Sequence, residues 1–165
     1  MATANNKLIA LVNSFASAVL SVGREVGLNV TLNKAKISPG IKVENAATVA
    51  LIGVVGAGSK GKIMIAMDND GFNTIISTMS GGMIQPKIGD DVSMSVIGEL
   101  SNMIGGRALV QSALGTVDVT PPQLVFGANI GSAIKEDPKT KSFTLPFTLV
   151  PSGGLNLVLS FEIEN

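Results

Sequence analysis

The stretch that decides the fold is a long helical pattern in the middle of the chain, Ser95-Val-Ile-Gly-Glu-Leu-Ser-Asn-Met-Ile-Gly-Gly-Arg107. Its periodicity predicts a helix from Asp91 to about Ser112. At about 100° per residue, one narrow stripe of that helix contains Ser95, Glu99, Asn102 and Gly106. The opposite stripe is apolar and contains Val96, Ile97, Leu100, Met103 and Ile104. The sequence therefore predicts one buried face and one face that presents a carboxylate beside a carboxamide.

The carboxylate and the amide allow two interpretations. A Glu and an Asn on the wet face of a helix are ordinary, but a solvated face normally carries more Lys and Glu than this one. Gly98 and the pair Gly105-Gly106 each cost about 1 kcal/mol of helix propensity relative to Ala. These glycines are easier to understand if another backbone or helix must come close. We therefore interpret the face with Ser95, Gly98 and Gly106 as a contact surface for a large partner.

Outward from this helix, the patterns predict a helix, three strands and a short helix before it, and three strands after it. The predicted helices cover about residues 5–26, a short segment that starts within 68–71 and runs to about 79, and 91–112. The predicted strands cover 29–37, 47–55, 60–67, 117–126, 142–150 and 155–164, with a loop at 131–141. Clustered strands favour the α+β class over strict βαβ alternation. We expect residues 1–165 to form a single-domain α/β sandwich, with a roughly six-stranded, mainly antiparallel sheet, two long helices and one short helix.

Composition excludes several kinds of chemistry. The 165 residues include no Cys and no His, which excludes disulfides, thiol nucleophiles and Ser-His-Asp catalysis. The 12 basic and 12 acidic residues give no net charge and form no basic run, so we expect no nucleic-acid partner. No apolar run reaches transmembrane length, and the N-terminal pattern favours an amphipathic helix over a signal peptide. The sequence therefore indicates a cytoplasmic protein without a membrane segment.

A glycine-rich segment matches two phosphate-binding patterns by letter. Gly56-Ala-Gly-Ser-Lys-Gly-Lys62 fits G-x-G-x-x-G and most of the P-loop pattern. Both motifs depend on a helix N-terminus directly after the glycines, whereas Ile63 begins a strand pattern here. We predict a hairpin turn at this segment and reject nucleotide binding.

Two pairs of aspartates also have a simple structural interpretation. Asp68 and Asp70 precede the short helix, and Asp90 and Asp91 precede the long one. Acidic residues are favoured at helix N-termini, and neither pair comes with a third candidate ligand. We predict helix capping at both places and no metal site.

The central motif resembles that of a known family. Ser95-x-x-x-Glu99-x-x-Asn102, followed by Thr120-Pro121-Pro122, resembles the signature of the CheC/CheX/FliY family of chemotaxis phosphatases. The match is closest to its CheX-like members and covers essentially the whole chain. The connection between Asn102 and Pro122 is shorter than is usual in the family.

The resemblance implies an enzyme that hydrolyses the aspartyl phosphate of a CheY-like receiver domain in chemotaxis signalling. Glu99 would pair with a Lys of the receiver, Asn102 would orient the attacking water, and Ser95, Gly98, Gly106 and Pro122 would contact the partner. The receiver would supply Mg²⁺, and the protein would need no cofactor or metal of its own. The single Glu-x-x-Asn copy is similar to that of CheX-like homodimers whose sheets continue across the interface. The alternative is a non-catalytic relative that binds a receiver or a flagellar component.

Overall fold

Three helices pack against one face of an antiparallel sheet in the computed structural model, which describes residues 4–56, 59–112 and 117–162. Helix α1 spans Ala4–Glu25, α2 spans Asn69–Met79, and α3 spans Asp91–Gln111. A fourth helical turn, α4, covers Ile130–Ala133. The two long helices and the one short helix that the sequence predicts are confirmed.

The sheet has eight strands. Their bounds are β1 Asn29–Leu32, β2 Ser38–Pro39, β3 Thr48–Gly56, β4 Ser59–Met67, β5 Val117–Val119, β6 Gln123–Phe126, β7 Thr140–Val150 and β8 Gly154–Glu162. The order is β1-β7-β8-β4-β3-β5, with β2 beside β7 and β6 beside β3, and every pairing is antiparallel. Two pairs of consecutive strands, β3–β4 and β7–β8, form hairpins in this antiparallel sheet, which confirms the predicted α+β class.

Eight strands replace six because two predicted strands are each divided. Pro121 and Pro122 separate β5 from β6, although both strands pair with β3, since a proline has no N–H to donate to the ladder. The predicted strand 29–37 ends at Leu32, and a 3-10 turn at Lys34–Lys36 precedes the short β2. All three residues of that turn are exposed, so they add no apolar surface that would hold them against the sheet.

The predicted loop at 131–141 is wrong in part. Its start belongs to α4, where Ile130 is 8% exposed, and its end belongs to β7, which begins at Thr140. Ile130 packs with Val43, Val49 and Met64 on the sheet face that α1, α2 and α3 leave uncovered. The segment is mostly polar, so its pattern predicts a loop. The burial of the single residue Ile130 is nevertheless enough to hold a short helical turn against the sheet.

The main core lies between the sheet and the helices. Side chains that alternate along the central strands point into it, among them Ala50, Ile52, Val54, Ile63, Ile65 and Met67. α1 contributes Leu11, Phe15, Val19 and Val22, as its predicted amphipathic pattern requires. The segment Leu8–Glu25 of α1 is long and apolar enough to cross a membrane, but helices in the core of a protein meet the same criterion. In this structure the apolar face of α1 packs in the core.

Other local predictions are confirmed at the hairpin and at the helix starts. Gly56 pairs with Ser59 and a strand follows, so the glycine-rich segment is a β-hairpin, while Ala57 and Gly58 lie outside the described residues. Asp90 caps α3 through the N–H of Ser93, at 3.5 Å. The predicted ends of the long helix beyond Ser112 and of the last strand at residues 163–164 also lie outside the described residues.

Asp68 does more than cap α2. Its Oδ1 accepts hydrogen bonds from the N–H of Gly71 at 2.7 Å and from the N–H of Gly154 at 3.1 Å. The first bond begins the helix, and the second ties it to the start of β8. One carboxylate therefore fixes the position of α2 on the sheet.

Replacing Asp68 by Ala should lower the free energy of unfolding by about 2 kcal/mol, because a cap and a link to β8 are lost together. Asp70→Ala is the matched control: Asp70 lies in the first turn of α2 and is exposed, so about 0.5 kcal/mol or less is expected. Urea unfolding followed by circular dichroism measures both. Equal losses in the two variants would contradict the linking role of Asp68.

Candidate functional site

The buried face of α3 sets the direction of its opposite face. Ile97, Leu100 and Ile104 are at most 1% exposed and belong to the main core, as predicted. Val96 and Met103 are only half-buried and lie at the margin of the core. They lie roughly 40–60° from Glu99 around the helix axis, so they border the exposed face instead of opposing it.

Glu99 and Asn102 form the centre of the exposed face. Both are exposed and lie about 4.5 Å apart along the helix axis, roughly 60° apart around it. Neither side chain makes a hydrogen bond or an ion pair with another residue that the structure describes. A carboxylate and an amide are therefore side by side with their bonding capacity unused.

Glu99 is also a free charge at the middle of this helix. The helix contains two further charges, Asp91 in its first turn and Arg107 in its last part. The guanidinium of Arg107 is paired with Glu25 at 2.7 Å. Glu99 therefore presents an isolated negative charge at the middle of the surface.

The predicted contact residues around this pair differ in orientation. The Oγ of Ser95 is exposed but donates to the carbonyl of Val92 at 2.7 Å, so part of its bonding is taken up by its own helix. A Cβ placed on Gly98 would lie 3.7 Å from Leu124, and one on Gly105 would lie 3.5 Å from Ile52. These two glycines face the sheet.

Gly106 is the glycine that faces outward. A Cβ at this position would have no atom within 4 Å, and the residue is exposed one turn after Asn102. No residue that the structure describes comes close enough to Gly106 to require the absence of a side chain there. Gly98 and Gly105 lie against the sheet with room for a methyl group, whereas Gly106 leaves the outward surface open to close approach by a partner.

Pro122 is not brought together with the helix residues. It is half-buried and lines a cleft with Gly53, Lys62 and other residues, none of them from α3. Gly53 alternates with the β3 residues that face the helices, so the cleft lies on the other face of the sheet. There the Oγ1 of Thr120 accepts a hydrogen bond from the N–H of Gly53 at 2.8 Å. The segment Thr120-Pro121-Pro122 therefore has a structural role at the sheet edge.

Sequence reasoning missed the contact that holds α3 against α1. The Nη2 of Arg107 donates to both carboxylate oxygens of Glu25 at 2.7 Å, and its Nη1 donates to the Oγ of Ser21 at 3.3 Å. Bidentate pairing fixes geometry as well as charge. The partners are 82 residues apart in the sequence, so no local pattern could indicate the pairing.

Comparisons with known proteins agree with this architecture. The family model described as "Chemotaxis phosphatase CheX" matches residues 48–148, which contain α3 and most of the sheet. The chain therefore belongs to the CheX family of chemotaxis phosphatases, which confirms the resemblance read from the sequence. The described residues contain no group of three or more His, Cys, Asp or Glu side chains that could hold a metal ion.

Particular relatives extend the match to nearly the whole chain. The CheY-P phosphatase CheX of Thermotoga maritima is 31% identical over 159 residues, which cover 92% of this chain and 96% of that protein. The crystal structure of the chemotaxis protein CheX from Vibrio vulnificus has a TM-score of 0.73 at 23% identity and covers 92% of this chain and 99% of its own. The crystal structure of the CheX-CheY-BeF3-Mg²⁺ complex from Borrelia burgdorferi has a TM-score of 0.69 at 20% identity, and the match covers 92% of this chain and 97% of that one.

Proposed function

We propose that this protein accelerates hydrolysis of the aspartyl phosphate on a CheY-like receiver domain, in chemotaxis signalling. The observation that carries the proposal is the exposed and unpartnered pair Glu99 and Asn102 on α3 of a CheX-family chain. Two relatives support it: the CheX of Thermotoga maritima is a CheY-P phosphatase, and the CheX of Borrelia burgdorferi forms a complex with CheY.

The reaction needs positioning more than reactive side chains. A water oxygen bonds to phosphorus, the bond from phosphorus to the aspartyl oxygen breaks, and the carboxylate leaves with its electron pair while phosphate carries off the water's protons. Phosphoryl transfer of this kind depends on in-line alignment and on stabilisation of charge. The Mg²⁺ of the receiver supplies the positive charge at the phosphoryl oxygens. The chain needs no His, Cys or cofactor of its own for this task.

Asn102 orients the attacking water. An amide is too weak a base to deprotonate water, but its oxygen accepts one hydrogen bond and its nitrogen donates another. Both groups are free on the exposed helix, so they can hold a water without first breaking a bond within the protein. The amide therefore raises the fraction of time that a water spends in line with phosphorus.

Glu99 fixes the docking register. Its isolated carboxylate pairs with a Lys of the receiver, and no second free charge on the middle of the helix competes for that Lys. Docking removes water from this pair, which strengthens it relative to its value in solvent. Since Asn102 lies about one turn further on, the ion pair sets where the amide meets the phosphoryl group.

We further propose the setting in which this site works. Residues 1–165 form one CheX-like domain, the protein is cytoplasmic, and two copies associate through a sheet edge. The β1–β2 and β5–β6 sides of the sheet each carry a strand that pairs on one side only within the described residues, which leaves backbone groups for a second copy.

Asn102→Ala should reduce the acceleration of receiver dephosphorylation by roughly 100-fold or more while binding is kept within about threefold, because the water loses its partner and the docking contacts remain. Glu99→Gln should instead weaken binding by roughly tenfold or more, since the Lys of the receiver loses its counter-charge. Phosphate release from a phosphorylated receiver gives the rates, and calorimetry with a beryllofluoride-activated receiver gives the affinities.

Asn13→Ala is the control for these two variants. Asn13 is an exposed amide on α1, and its loss should change neither rate nor affinity. Full activity of Asn102→Ala would remove the proposed role of the amide. A wild-type protein that binds the receiver without accelerating hydrolysis would favour a non-catalytic CheX-like protein.

Gly106→Ala and Gly105→Ala separate docking from stability. Both substitutions add helix propensity, about 0.5–1 kcal/mol, and neither added methyl meets an atom closer than 3.5 Å. Only the methyl at Gly106 points to the partner, so Gly106→Ala should be at least as stable as wild type and yet bind the receiver several-fold more weakly. Thermal melting and calorimetry measure the two quantities. Weaker binding in Gly105→Ala alone would contradict the assignment of the outward glycine.

Association of two copies should double the mass in solution. Light scattering coupled to size exclusion is expected to give about 34 kDa, twice the chain mass of 16.9 kDa. A mass near that of one chain at every concentration up to roughly 100 μM would contradict the proposed dimer.

A further inference from the structure

The exposed face of α3 continues beyond the motif at both ends. Val92 is 54% exposed and Val110 is 87% exposed, although both are large apolar side chains. Val92 precedes Glu99 by seven residues and Val110 follows it by eleven, which places both within about 20° of Glu99 around the axis. Along the axis they lie about 10 Å and about 16 Å from Glu99.

The two ends of this face differ in chemistry. Near Val92 the exposed Asp90 and Asp91 add negative charge at the start of the helix. Near Val110 there is no free charge among the described residues of α3, because the head group of Arg107 is held by Glu25. The open position at Gly106 and the half-buried Met103 continue the uncharged surface toward Asn102.

Single exposed apolar residues are common on protein surfaces, so exposure alone decides nothing. Val110, however, is continuous with the surface on which the receiver docks. A receiver domain of ordinary size is roughly 35 Å across, so a domain centred on Glu99 reaches about 17 Å along the helix, just far enough to touch Val110. A specific interface also buries about 800 Å² on each partner, far more than one Glu and one Asn can supply.

We propose that Val110, together with the open surface at Gly106, packs against an apolar patch of the receiver domain and determines which receivers this protein accepts. The inference rests on the proposed function, since it takes the receiver as the occupant of this face. The patch lies about 16 Å from the Lys that pairs with Glu99. A receiver with a charged or bulky polar residue there is rejected, because that group would lose water without gaining a partner.

The position of Val110 predicts how its loss changes the kinetics. It lies about 12 Å along the helix from Asn102, too far to touch water or phosphorus. Its contact is the same in the docked complex and in the transition state. A change at Val110 therefore affects KM and leaves kcat unchanged.

The test uses the full chain and a receiver whose dephosphorylation it accelerates. Val110→Ser should raise KM about five- to tenfold at unchanged kcat, which corresponds to about 1.0–1.4 kcal/mol. Val and Ser have similar helix propensities, so the helix is kept. Val110→Thr keeps the shape of the side chain and replaces a methyl with a hydroxyl, and it should raise KM by a smaller factor.

Ile9→Ser is the matched control, because Ile9 is an apolar side chain that is 57% exposed on a different helix, α1. It should leave KM and kcat at their wild-type values. Wild-type KM in Val110→Ser and Val110→Thr would overturn the inference and leave the proposed function intact. A fall in kcat at constant KM would also overturn it.

Failure of the proposed function has a different signature. If the wild-type protein does not accelerate dephosphorylation, the affinity for a beryllofluoride-activated receiver, measured by calorimetry, still decides the inference. Weaker binding by Val110→Ser than by Ile9→Ser supports the apolar contact. Equal affinities overturn it.

Discussion

The packing of α3 on the sheet is the constraint on which the rest of the site depends. Ile97, Leu100 and Ile104 are buried against the central strands, and this burial fixes the rotation of the helix about its axis. The surface ion pair between Arg107 and Glu25 adds a contact between α3 and α1. Rotation by half a turn would bury the carboxylate of Glu99, which costs far more than the helix can recover elsewhere. The chemistry of the outward face is thus set by the apolar residues of the inward face.

The outward face of α3 does not by itself carry all the groups that a phosphatase needs. It offers one charge and one amide, both without partners in the part of the chain that the structure describes. An enzyme whose substrate is another folded protein can leave the metal, the electrophile and a cation on that protein. It then needs only rigid placement of a few groups, which a helix packed along its whole length provides. The outward Gly106 fits the proposed docking, in which the helix enters the active site of the receiver.

Local periodicity predicted most of the fold, and long-range contacts account for what it missed. The alternation in β3 and β4 and the helical spacing around Phe15 and Ile97 each reflect burial on one face, so they could be read from the chain alone. The division of residues 117–126 was signalled by Pro121-Pro122, but the anchoring of α4 by Ile130 depends on a second cluster that no local pattern reveals. Glu99 and Asn102 could be assigned to one helix face from the sequence because their spacing is local, and the structure exposes both side chains. Pro122 was grouped with them by motif alone, and the structure places it on the other face of the sheet.

The central claim is that α3 places Asn102 at the phosphoryl group of a docked receiver. The most direct test is the rate at which a phosphorylated receiver loses phosphate in the presence of substoichiometric amounts of this protein. The account predicts repeated turnover, with a rate proportional to the amount of protein and lost when Asn102 is replaced by Ala. A rate equal to that of the receiver alone, despite a stable complex, would contradict it.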